Sequence, residues 1–194
     1  MRERKKRDTW RLIHDTALVL MRRRGFDAVS VDDIVAAAGI SRRTFFNYFA
    51  GKEAVVFDPD PGEPALWHEL MAARPAGEAM WSSLRELLID YTAAVADRLI
   101  VQHRVRQASP ELESCSRAVA DRFFGAVLEW VTAGHPHPGP RPDLTVGAAR
   151  AVLATACPRW DPDLGIAALH HEIREGFDLL GAGLIHHPAE RTIR

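Results

Sequence analysis

The chain has 194 residues, of which 47% are apolar and 26% charged, and its net charge is −1. This composition is typical of a soluble globular protein and argues against a disordered or membrane-spanning chain, because no apolar run approaches the roughly 20 residues that a membrane helix needs. The N-terminal MRERKKRDTW lacks the apolar block of a signal peptide, so we expect a cytoplasmic protein. Cys115 and Cys157 are the only cysteines, so neither a disulfide framework nor a cysteine-based zinc site is expected.

Charge is unevenly distributed along the chain. Residues 1–57 carry 12 Lys and Arg against 7 Asp and Glu, whereas residues 58–194 carry 13 against 19. A small basic part attached to a larger acidic part favours a polyanionic partner for the first and a different partner for the second.

The first predicted element is an amphipathic helix over residues 8–24, where apolar side chains recur every three or four positions. Asp8 or Thr9 is expected to cap its first turn, and Gly25 followed by Phe26 is expected to form a left-handed cap at its end. The basic run before it, MRERKKR, is interpreted either as a solvated tail or as an arm that follows the minor groove of DNA.

Two short helices are predicted directly after this one. Ser30 and Asp33 have the spacing of a capping box, and a short helix is expected to follow them. Gly39 supplies the positive φ that a tight turn needs, and Ser41 is expected to cap a second helix over residues 42–49. Two helices joined by such a turn form a helix-turn-helix, whose second member enters the major groove of DNA.

The second of these helices has two distinct faces. Phe45 and Phe49 share one face at i,i+4 spacing and are predicted to be buried together. Arg42 and Arg43 lie in the first turn, which inserts most deeply into the groove, and arginine pairs bidentately with guanine. The other exposed side chains are expected to contact DNA in different ways: Phe46 the methyl groups of thymine, Tyr48 and Lys52 the phosphates.

A proline-rich segment, residues 58–64, separates this basic part from the rest, since no helix can cross three prolines and a glycine. We therefore expect two domains, residues 1–57 and residues 58–194. Helical patterns continue in the second domain and no segment shows convincing strand alternation, so the expected fold class is all-α. The predicted helices cover about residues 52–57, 65–73, 78–107 with a break near Ala96, 111–133, 143–156 and 163–186, with Pro158 and Pro162 bracketing a turn before the last one.

The second domain is rich in aromatic side chains, which either form the core of a helical bundle or line a pocket between its helices. His103, Arg104 and Arg106 are polar candidates for holding an anionic ligand group. The residues predicted to contact a ligand are Trp67, Trp81, Tyr91, His103, Arg106, Phe123, Phe124 and Trp130.

Small residues recur at helix-packing spacing in the last two predicted helices. They are Gly147, Ala148, Ala151 and Ala154 in the first helix, and Gly176 and Gly183, together with Leu180 and Leu184, in the second. Two copies of these helices are expected to form a four-helix bundle between the subunits of a homodimer.

The tract from Gly25-Phe26 through SVDDIVAAAGISRRTFFNYFAGKEAVV resembles the DNA-binding domain of TetR-family transcriptional repressors, and the resemblance covers residues 8–57. It implies an all-helical homodimer with a three-helix DNA-binding head and a helical body that binds a small molecule and then releases the operator. In the family pattern Ser30 and Ser41 cap helices near phosphates, Arg42, Arg43 and Thr44 face bases, and Asn47, Tyr48 and Lys52 face the backbone. The family commonly has tyrosine where this chain has Phe46, so an apolar contact replaces a phosphate contact. The effector that the resemblance suggests is an acyl-CoA or another lipid-like molecule.

Other interpretations of the sequence exist. The body could serve dimerisation only, without an effector, and the presence of a ligand-sized apolar cavity separates these two hypotheses. An enzyme belongs to a different class, but we find no nucleophile elbow, phosphate loop or pair of histidines with a glutamate. No cofactor or metal site is expected, because the adjacent histidines His170-His171 and His186-His187 would point about 100° apart on a helix.

Overall fold

The computed structural model describes residues 2–108, 113–134 and 141–183, with side chains described for 4–107, 119–133 and 141–183. All regular structure in these ranges is helical, which confirms the predicted all-α fold. Among the helices described, none combines the length and the apolar character needed to cross a membrane. Of the residues singled out above, Leu184, His186 and His187 lie outside the described ranges, and Cys115 lies outside the described side chains.

Ten α-helices follow one another in the described residues. The first four form a head: α1 (Arg2–Arg24), α2 (Val31–Ala38), α3 (Arg42–Phe46) and α4 (Lys52–Phe57). The other six form a body: α5 (Glu63–Ala72), α6 (Met80–Ala94), α7 (Ala96–Ala108), α8 (Glu113–Gly134), α9 (Pro142–Arg159) and α10 (Ile166–Gly181). A short 3-10 turn, Pro162–Leu164, precedes α10.

Helix α1 is longer than its sequence pattern predicts. It begins at Arg2, and the Thr9 hydroxyl donates to the carbonyl of Lys5 at 2.9 Å inside the helix. The predicted cap at Asp8 or Thr9 is therefore wrong, because the Arg, Glu and Lys residues before it are good helix formers and no glycine or proline stops them. The other end is as predicted, since Gly25 has a φ of +85°.

Helix α3 is shorter than predicted. It ends at Phe46, and the N–H of Asn47 is shared by the carbonyls of Arg43 and Thr44 at 3.1 and 3.2 Å, which tightens the last turn. The predicted run to residue 49 is wrong for this reason. Phe49 follows after a turn and is still buried, so the aromatic face continues beyond the end of the helix.

The breaks in the body differ in part from those predicted. Helices α6 and α7 are separated at Val95, close to the break expected near Ala96. Pro158, in contrast, lies inside the last turn of α9 and does not begin the turn that follows. It has no N–H to donate to the carbonyl four residues earlier, and α9 ends one residue later. Gly165, with a φ of +74°, delays the start of α10 to Ile166.

Two hydrophobic clusters hold the protein together. The first fills the head around Ile34 and Phe45, both completely buried, and the second fills the body around Phe123. Helix α7 is shared between them: it contacts α6 of the body, yet Val101 and Val105 are buried in the head cluster against α1 and α4. A displacement of α7 within the body must therefore be transmitted to the head, because packed side chains do not compress.

Candidate DNA-binding surface and ligand cavity

Helix α2 is fixed at both ends as its sequence predicts. The Ser30 Oγ accepts the N–H of Asp33 at 3.1 Å, and the Asp33 carboxylate accepts the N–H of Ser30 at 2.9 Å, so the capping box is complete. The Ser30 hydroxyl also donates to the Asp33 carboxylate at 2.5 Å, and this bond, followed by the one from the Ser30 N–H, holds the pKa of the Asp33 carboxyl below its usual value. Gly39 ends the helix in the left-handed conformation with a φ of +64°, which sets the direction of α3.

Helix α3 presents one face to the core and another to the surface. The Ser41 Oγ caps it by accepting the N–H of Thr44 at 3.0 Å, and the two hydroxyls lie 2.8 Å apart. Phe45 is completely buried, whereas Phe46 beside it is 50% exposed. A large apolar side chain so exposed on a short helix is available for contact with a partner.

The two arginines of α3 differ in their surroundings. The Arg42 Nη1 donates to both carboxylate oxygens of Asp32 at 2.8 and 2.9 Å, and its guanidinium carbon lies 6.0 Å from the centre of the Phe46 ring. Arg43 is exposed, and among the described residues no ion pair or hydrogen bond holds its side chain. Since an exposed ion pair such as Arg42–Asp32 contributes at most about 1 kcal/mol, both guanidinium groups can turn to a partner.

Three side chains predicted to contact the DNA backbone, Asn47, Tyr48 and Lys52, have different surroundings. The ammonium of Lys52 donates to the carbonyls of Phe26 and Val29 at 3.0 and 3.3 Å and lies 4.2 Å from the centre of the Phe26 ring. Lys52 therefore already stabilises the loop between α1 and α2. Asn47 is exposed at the end of α3, and Tyr48 is half-buried against the head cluster.

A cavity of about 520 Å³ lies between α6, α7, α8 and α9. Five of the eight predicted ligand contacts line it, namely Tyr91, His103, Arg106, Phe123 and Phe124. Sequence reasoning missed five polar lining residues, Arg98, Gln102, Gln107, Arg150 and Cys157. The helical spacing in the sequence could have identified two of these residues. Arg98 and Gln102 precede the predicted Arg106 by two turns and one turn, so they lie on the same face of α7.

The three predicted tryptophans are not in the cavity wall. Trp67 packs edge-on against Phe123 with ring centres 5.6 Å apart, Trp81 donates its indole N–H to the carbonyl of Phe177 at 3.0 Å, and Trp130 is half-buried against the body cluster. Arg104 also points elsewhere, to Asp163 at 2.7 Å. Aromatic composition alone does not distinguish core positions from cavity positions.

Burial distinguishes two ends of the cavity. Tyr91 and Arg98 are only 7% and 6% exposed, whereas Gln107 and Arg150 are exposed. We call the Tyr91–Arg98 side the inner end and the Gln107–Arg150 side the mouth. Apolar side chains, including Leu99, Phe123, Phe124 and Leu153, form much of the wall.

The inner end contains a buried ion pair. Arg98 donates through Nη2 and Nη1 to the two carboxylate oxygens of Glu63 at 2.5 and 3.2 Å, and the Tyr91 hydroxyl donates to the same carboxylate at 2.5 Å. Burial raises the pKa of the Tyr91 hydroxyl. Burial alone would lower the pKa of Arg98, but the hydrogen bond to Glu63, together with the electrostatic effects of Tyr91, Glu63 and Asp60, outweighs burial and raises the pKa, so the guanidinium stays charged.

The Gln102 side chain connects the cavity to the head. Gln102 lines the cavity and donates its amide N–H to the carbonyl of Val56 at 2.9 Å. Val56 lies in the last turn of α4, where backbone carbonyls have no partner within the helix. The Gln102 side chain therefore satisfies a helix end of the DNA-binding head from the wall of the cavity.

His103 and Cys157 close part of the same wall. The His103 Nδ1 lies 3.2 Å from the carbonyl oxygen of Cys157, and burial lowers the pKa of the imidazole. Burial also raises the pKa of the Cys157 thiol to about 11, so Cys157 is protonated near neutral pH and packs as a small apolar side chain.

The two adjacent histidines of α10, His170 and His171, differ in exposure. His170 is half-buried, whereas His171 is exposed and lies 3.6 Å from Glu175. Across the described part of the chain, no group of three or more His, Cys, Asp or Glu side chains comes together.

A capped helix-turn-helix with an exposed Arg-Arg turn, joined through a shared helix to a helical body with an internal cavity, defines a DNA-binding transcriptional regulator. Residues 13–58 match the family described as "Bacterial regulatory proteins, tetR family". Residues 13–58 therefore form a DNA-binding domain of the TetR family, as the sequence predicts, and the relatives matched by the chain are transcriptional regulators.

Individual relatives agree with this assignment. The Mycobacterium tuberculosis protein MftR, named as a transcriptional regulator of mycofactocin biosynthesis, is 29% identical over 178 residues, which cover 89% of each chain. FadR from Bacillus halodurans, a fatty acid degradation regulator, superposes with a TM-score of 0.64 at 20% identity over 92% of this chain and 97% of its own. FadR from Thermus thermophilus, solved in complex with lauroyl-CoA, has a TM-score of 0.59 at 24% identity over 95% and 100%. The two structural matches show the shared fold.

Proposed function

We propose that this regulator binds a palindromic operator as a homodimer, represses transcription in the cytoplasm, and is released when a small molecule enters the body cavity. The observation that carries this proposal is the position of α7, which lines the cavity on one side and is buried in the head cluster on the other. TetR-family regulators bind DNA operators as dimers and respond to small molecules.

We assign DNA binding to residues 1–57 and effector binding with dimerisation to residues 58–194. Arg42, Arg43, Thr44 and Phe46 are proposed to contact bases, since they lie in or beside the exposed first turn of α3. The proposed contacts to phosphates come from Ser30, Ser41, Asn47, Tyr48 and Lys52. Lys52 would have to leave the carbonyls of Phe26 and Val29 or contact DNA while retaining them.

The proposed effector is an amphipathic anion with a long apolar part, such as an acyl-CoA. Arg106 and Arg150 line the cavity, Arg150 at the mouth, and the wall between mouth and inner end is largely apolar. The Thermus thermophilus relative with lauroyl-CoA supports this class of molecule. The alternative function, a DNA-binding dimer without an effector, offers no role for an internal space of about 520 Å³.

Release is proposed to proceed through α7 and Gln102. A molecule that displaces α7 alters the buried positions of Val101 and Val105 and the bond from Gln102 to Val56. It can shift the equilibrium only by its differential affinity for the two conformations of the dimer. Binding of effector and operator must therefore weaken each other by the same factor.

The test is a pair of titrations with acyl-CoA molecules of increasing chain length, one without operator DNA and one with saturating operator. The fluorescence of the body tryptophans reports ligand binding in both. We expect at least one of them to bind, to weaken operator binding, and to bind less tightly by the same factor when operator is saturating. Gln102→Ala tests the link between the cavity and the head. This variant should bind the ligand with similar affinity, but ligand and operator should weaken each other's binding by a smaller factor. An acyl-CoA that binds equally well with and without operator is not the effector.

The dimer is proposed to form through α9 and α10. Ala151, Leu144 and Leu179 are exposed on these helices, and the two leucines are each 64% exposed. A groove runs between the helices and is lined by Ala151 and Leu179 among others. Side chains of a second copy could pack into this groove in the dimer that we propose. Gly176 lines the same groove, and its small size also allows a close contact with Val152 of the same chain.

A further inference from the structure

An acidic side chain lies within the surface proposed to face DNA. Asp32 is exposed in the first turn of α2, and both of its carboxylate oxygens accept from the Nη1 of Arg42, at 2.8 and 2.9 Å. The start of α2 does not depend on this carboxylate, because Ser30 and Asp33 already form the capping box. A negative charge close to phosphates weakens binding to any DNA, so Asp32 does not serve affinity.

The contact with Asp32 occupies only one corner of the Arg42 guanidinium. Nη1 makes all the hydrogen bonds of this group within the described residues, and the side chain is 62% exposed. The Nε–H and one N–H of Nη2 are therefore left without an acceptor, and in a planar guanidinium they point in parallel from the same edge. Such a pair of donors matches the O6 and N7 of guanine in the major groove. Arg42 can thus bind guanine and keep its bond to Asp32.

Two neighbours restrict the orientation of Arg42. One is Asp32, and the other is Phe46, whose ring centre lies 6.0 Å from the guanidinium carbon. A side chain that is already held loses less conformational freedom when it binds a base. Arg43 has no such neighbour in the described part of the chain, so only one of the two adjacent arginines is oriented in advance.

The same carboxylate opposes other modes of binding. If Arg42 turned away from the bases to a phosphate, Asp32 would be left unpaired beside the negatively charged DNA backbone, and the like charges would repel each other. DNA without a guanine at the right place offers no arrangement in which both charges of the pair are satisfied. Asp32 therefore favours one sequence over others and lowers the affinity for the rest.

We propose that Asp32 determines sequence specificity by positioning Arg42, with its Nε and Nη2 turned to a guanine, and by repelling DNA that lacks this guanine. The proposal rests on the proposed function in one respect, which is that α3 lies in the major groove with Arg42 facing the bases. Asp32 is a positioning residue, because it acts on the bases through Arg42.

The experiment selects bound sequences from a pool of random duplex DNA with the full-length protein. Sequencing of the bound fraction gives the operator and the preference for each base at each position. Arg42→Ala identifies the position that Arg42 reads, since the preference for guanine should be lost there and kept elsewhere. Asp32→Asn removes the charge and keeps the shape. It should reduce the guanine preference at this same position at least about threefold and raise the affinity for random duplex about threefold.

Three further variants separate this role from simpler ones. Asp32→Glu retains the charge and should retain most of the guanine preference. Asp27→Asn removes another exposed carboxylate from the head, so it changes the net charge equally, yet it should leave every base preference unchanged. In Arg42→Ala with Asp32→Asn, the second substitution should not alter the base preference further, because the two residues act as a unit. Urea unfolding measures the stability of each variant, which the loss of a carboxylate from the first turn of α2 can lower without changing the preference for one base.

Each outcome decides for or against the role of Asp32. An unchanged guanine preference in Asp32→Asn, equal losses at all positions, or an affinity for random duplex that does not rise would overturn it. A guanine preference that survives in Arg42→Ala would overturn it too, while leaving operator binding in place. A protein that selects no sequence from the pool contradicts the proposed function, and the role of Asp32 fails with it. A selected operator that Asp32→Asn recognises like the parent contradicts the role of Asp32 alone.

Discussion

Arg42 and Arg43 are adjacent arginines, yet their side chains have different surroundings in the structure. Arg42 is paired with Asp32, whereas Arg43 has no partner in the described part of the chain. The same contrast applies to Lys52, which looks like a surface charge in the sequence but is bonded to two backbone carbonyls. At the scale of single residues, function depends on whether a charge is already satisfied within the chain.

Replacing Arg43 by alanine tests base reading. We expect Arg43→Ala to cost about 1 to 3 kcal/mol in binding to the specific operator and much less on random duplex, because a bidentate contact to guanine exists only on the correct sequence. Affinities are measured by fluorescence anisotropy at several salt concentrations. Arg122→Ala, which removes an exposed arginine from α8 of the body, is the matched control and should leave both affinities unchanged. Equal losses on the two DNAs would exclude base reading by Arg43.

Replacing Lys52 by alanine tests its structural role. Lys52→Ala should lower the free energy of unfolding by about 1 to 2 kcal/mol, because two carbonyls lose a charged donor and the Phe26 ring loses a cation. It should also weaken binding to both DNAs alike and flatten the salt dependence if the ammonium reaches phosphate. Lys6→Ala, an exposed position of α1, serves as the control in urea unfolding. A variant as stable as the parent would contradict the structural role.

At the scale of elements, the contact between α9 and α10 shows how a small residue is used. A Cβ at Gly176 would lie 2.7 Å from the Cγ1 of Val152, a distance that real Cβ contacts do not reach. Val152 is β-branched and 5% exposed, so it has little freedom to move away. The glycine therefore permits the close approach of these two helices within one subunit.

Gly176→Ala is expected to destabilise the protein by about 1 to 3 kcal/mol through overpacking. Adding Val152→Ala should recover part of the loss, since it removes the two methyl groups that the new Cβ would meet. Gly125→Ala in α8 is the matched control: apart from the nearby backbone of α8, no atom of the described residues lies within 4 Å of a Cβ placed there, so the substitution should be neutral or stabilise by about 0.5 to 1 kcal/mol. Chemical unfolding of the three variants gives the comparison, and a neutral Gly176→Ala would contradict the packing.

At the scale of the whole molecule, the proposed dimer and the proposed release depend on the same body. In the proposed dimer α9 and α10 provide the face between the subunits, and α9 also lines the cavity. A change in the cavity can therefore alter both the position of α7 beneath the head and the arrangement of two heads on DNA. Two heads must fit successive major grooves at once, so a small change in their separation is enough to weaken binding.

Leu179→Glu tests the interface. In a twofold dimer the substitution occurs twice, and two buried carboxylates without partners should convert the dimer to monomers that bind a palindrome weakly. Leu12→Glu, on α1 of the head and 48% exposed, is the control and should leave the dimer intact. Sedimentation velocity at micromolar concentration measures both. A monomeric parent protein, or a dimeric Leu179→Glu, would contradict this interface. Gly183 is a poorer site for the test, because its φ of +84° would strain any other residue.

Features that depend on residues a few positions apart follow from the sequence alone. Ser30 with Asp33, Gly39 and Ser41 specify the helix-turn-helix because caps and tight turns involve contacts within three or four residues. The helical period specified the all-α fold for the same reason, and the charge of the first 57 residues indicated DNA. Helix ends without such a signal, as at the start of α1, were not predictable in this way.

Contacts between side chains that are far apart in the sequence depend on how the helices pack in three dimensions. Glu63 and Arg98 are 35 positions apart, and no local pattern connects a residue that follows the proline-rich segment with one on α7. Trp67 and Tyr91 look alike as aromatic candidates, but packing puts the first behind Phe123 and the second in the cavity wall. Whether an apolar face meets a neighbouring helix or an empty space depends on how all the helices pack at once, which the period of a single helix does not contain.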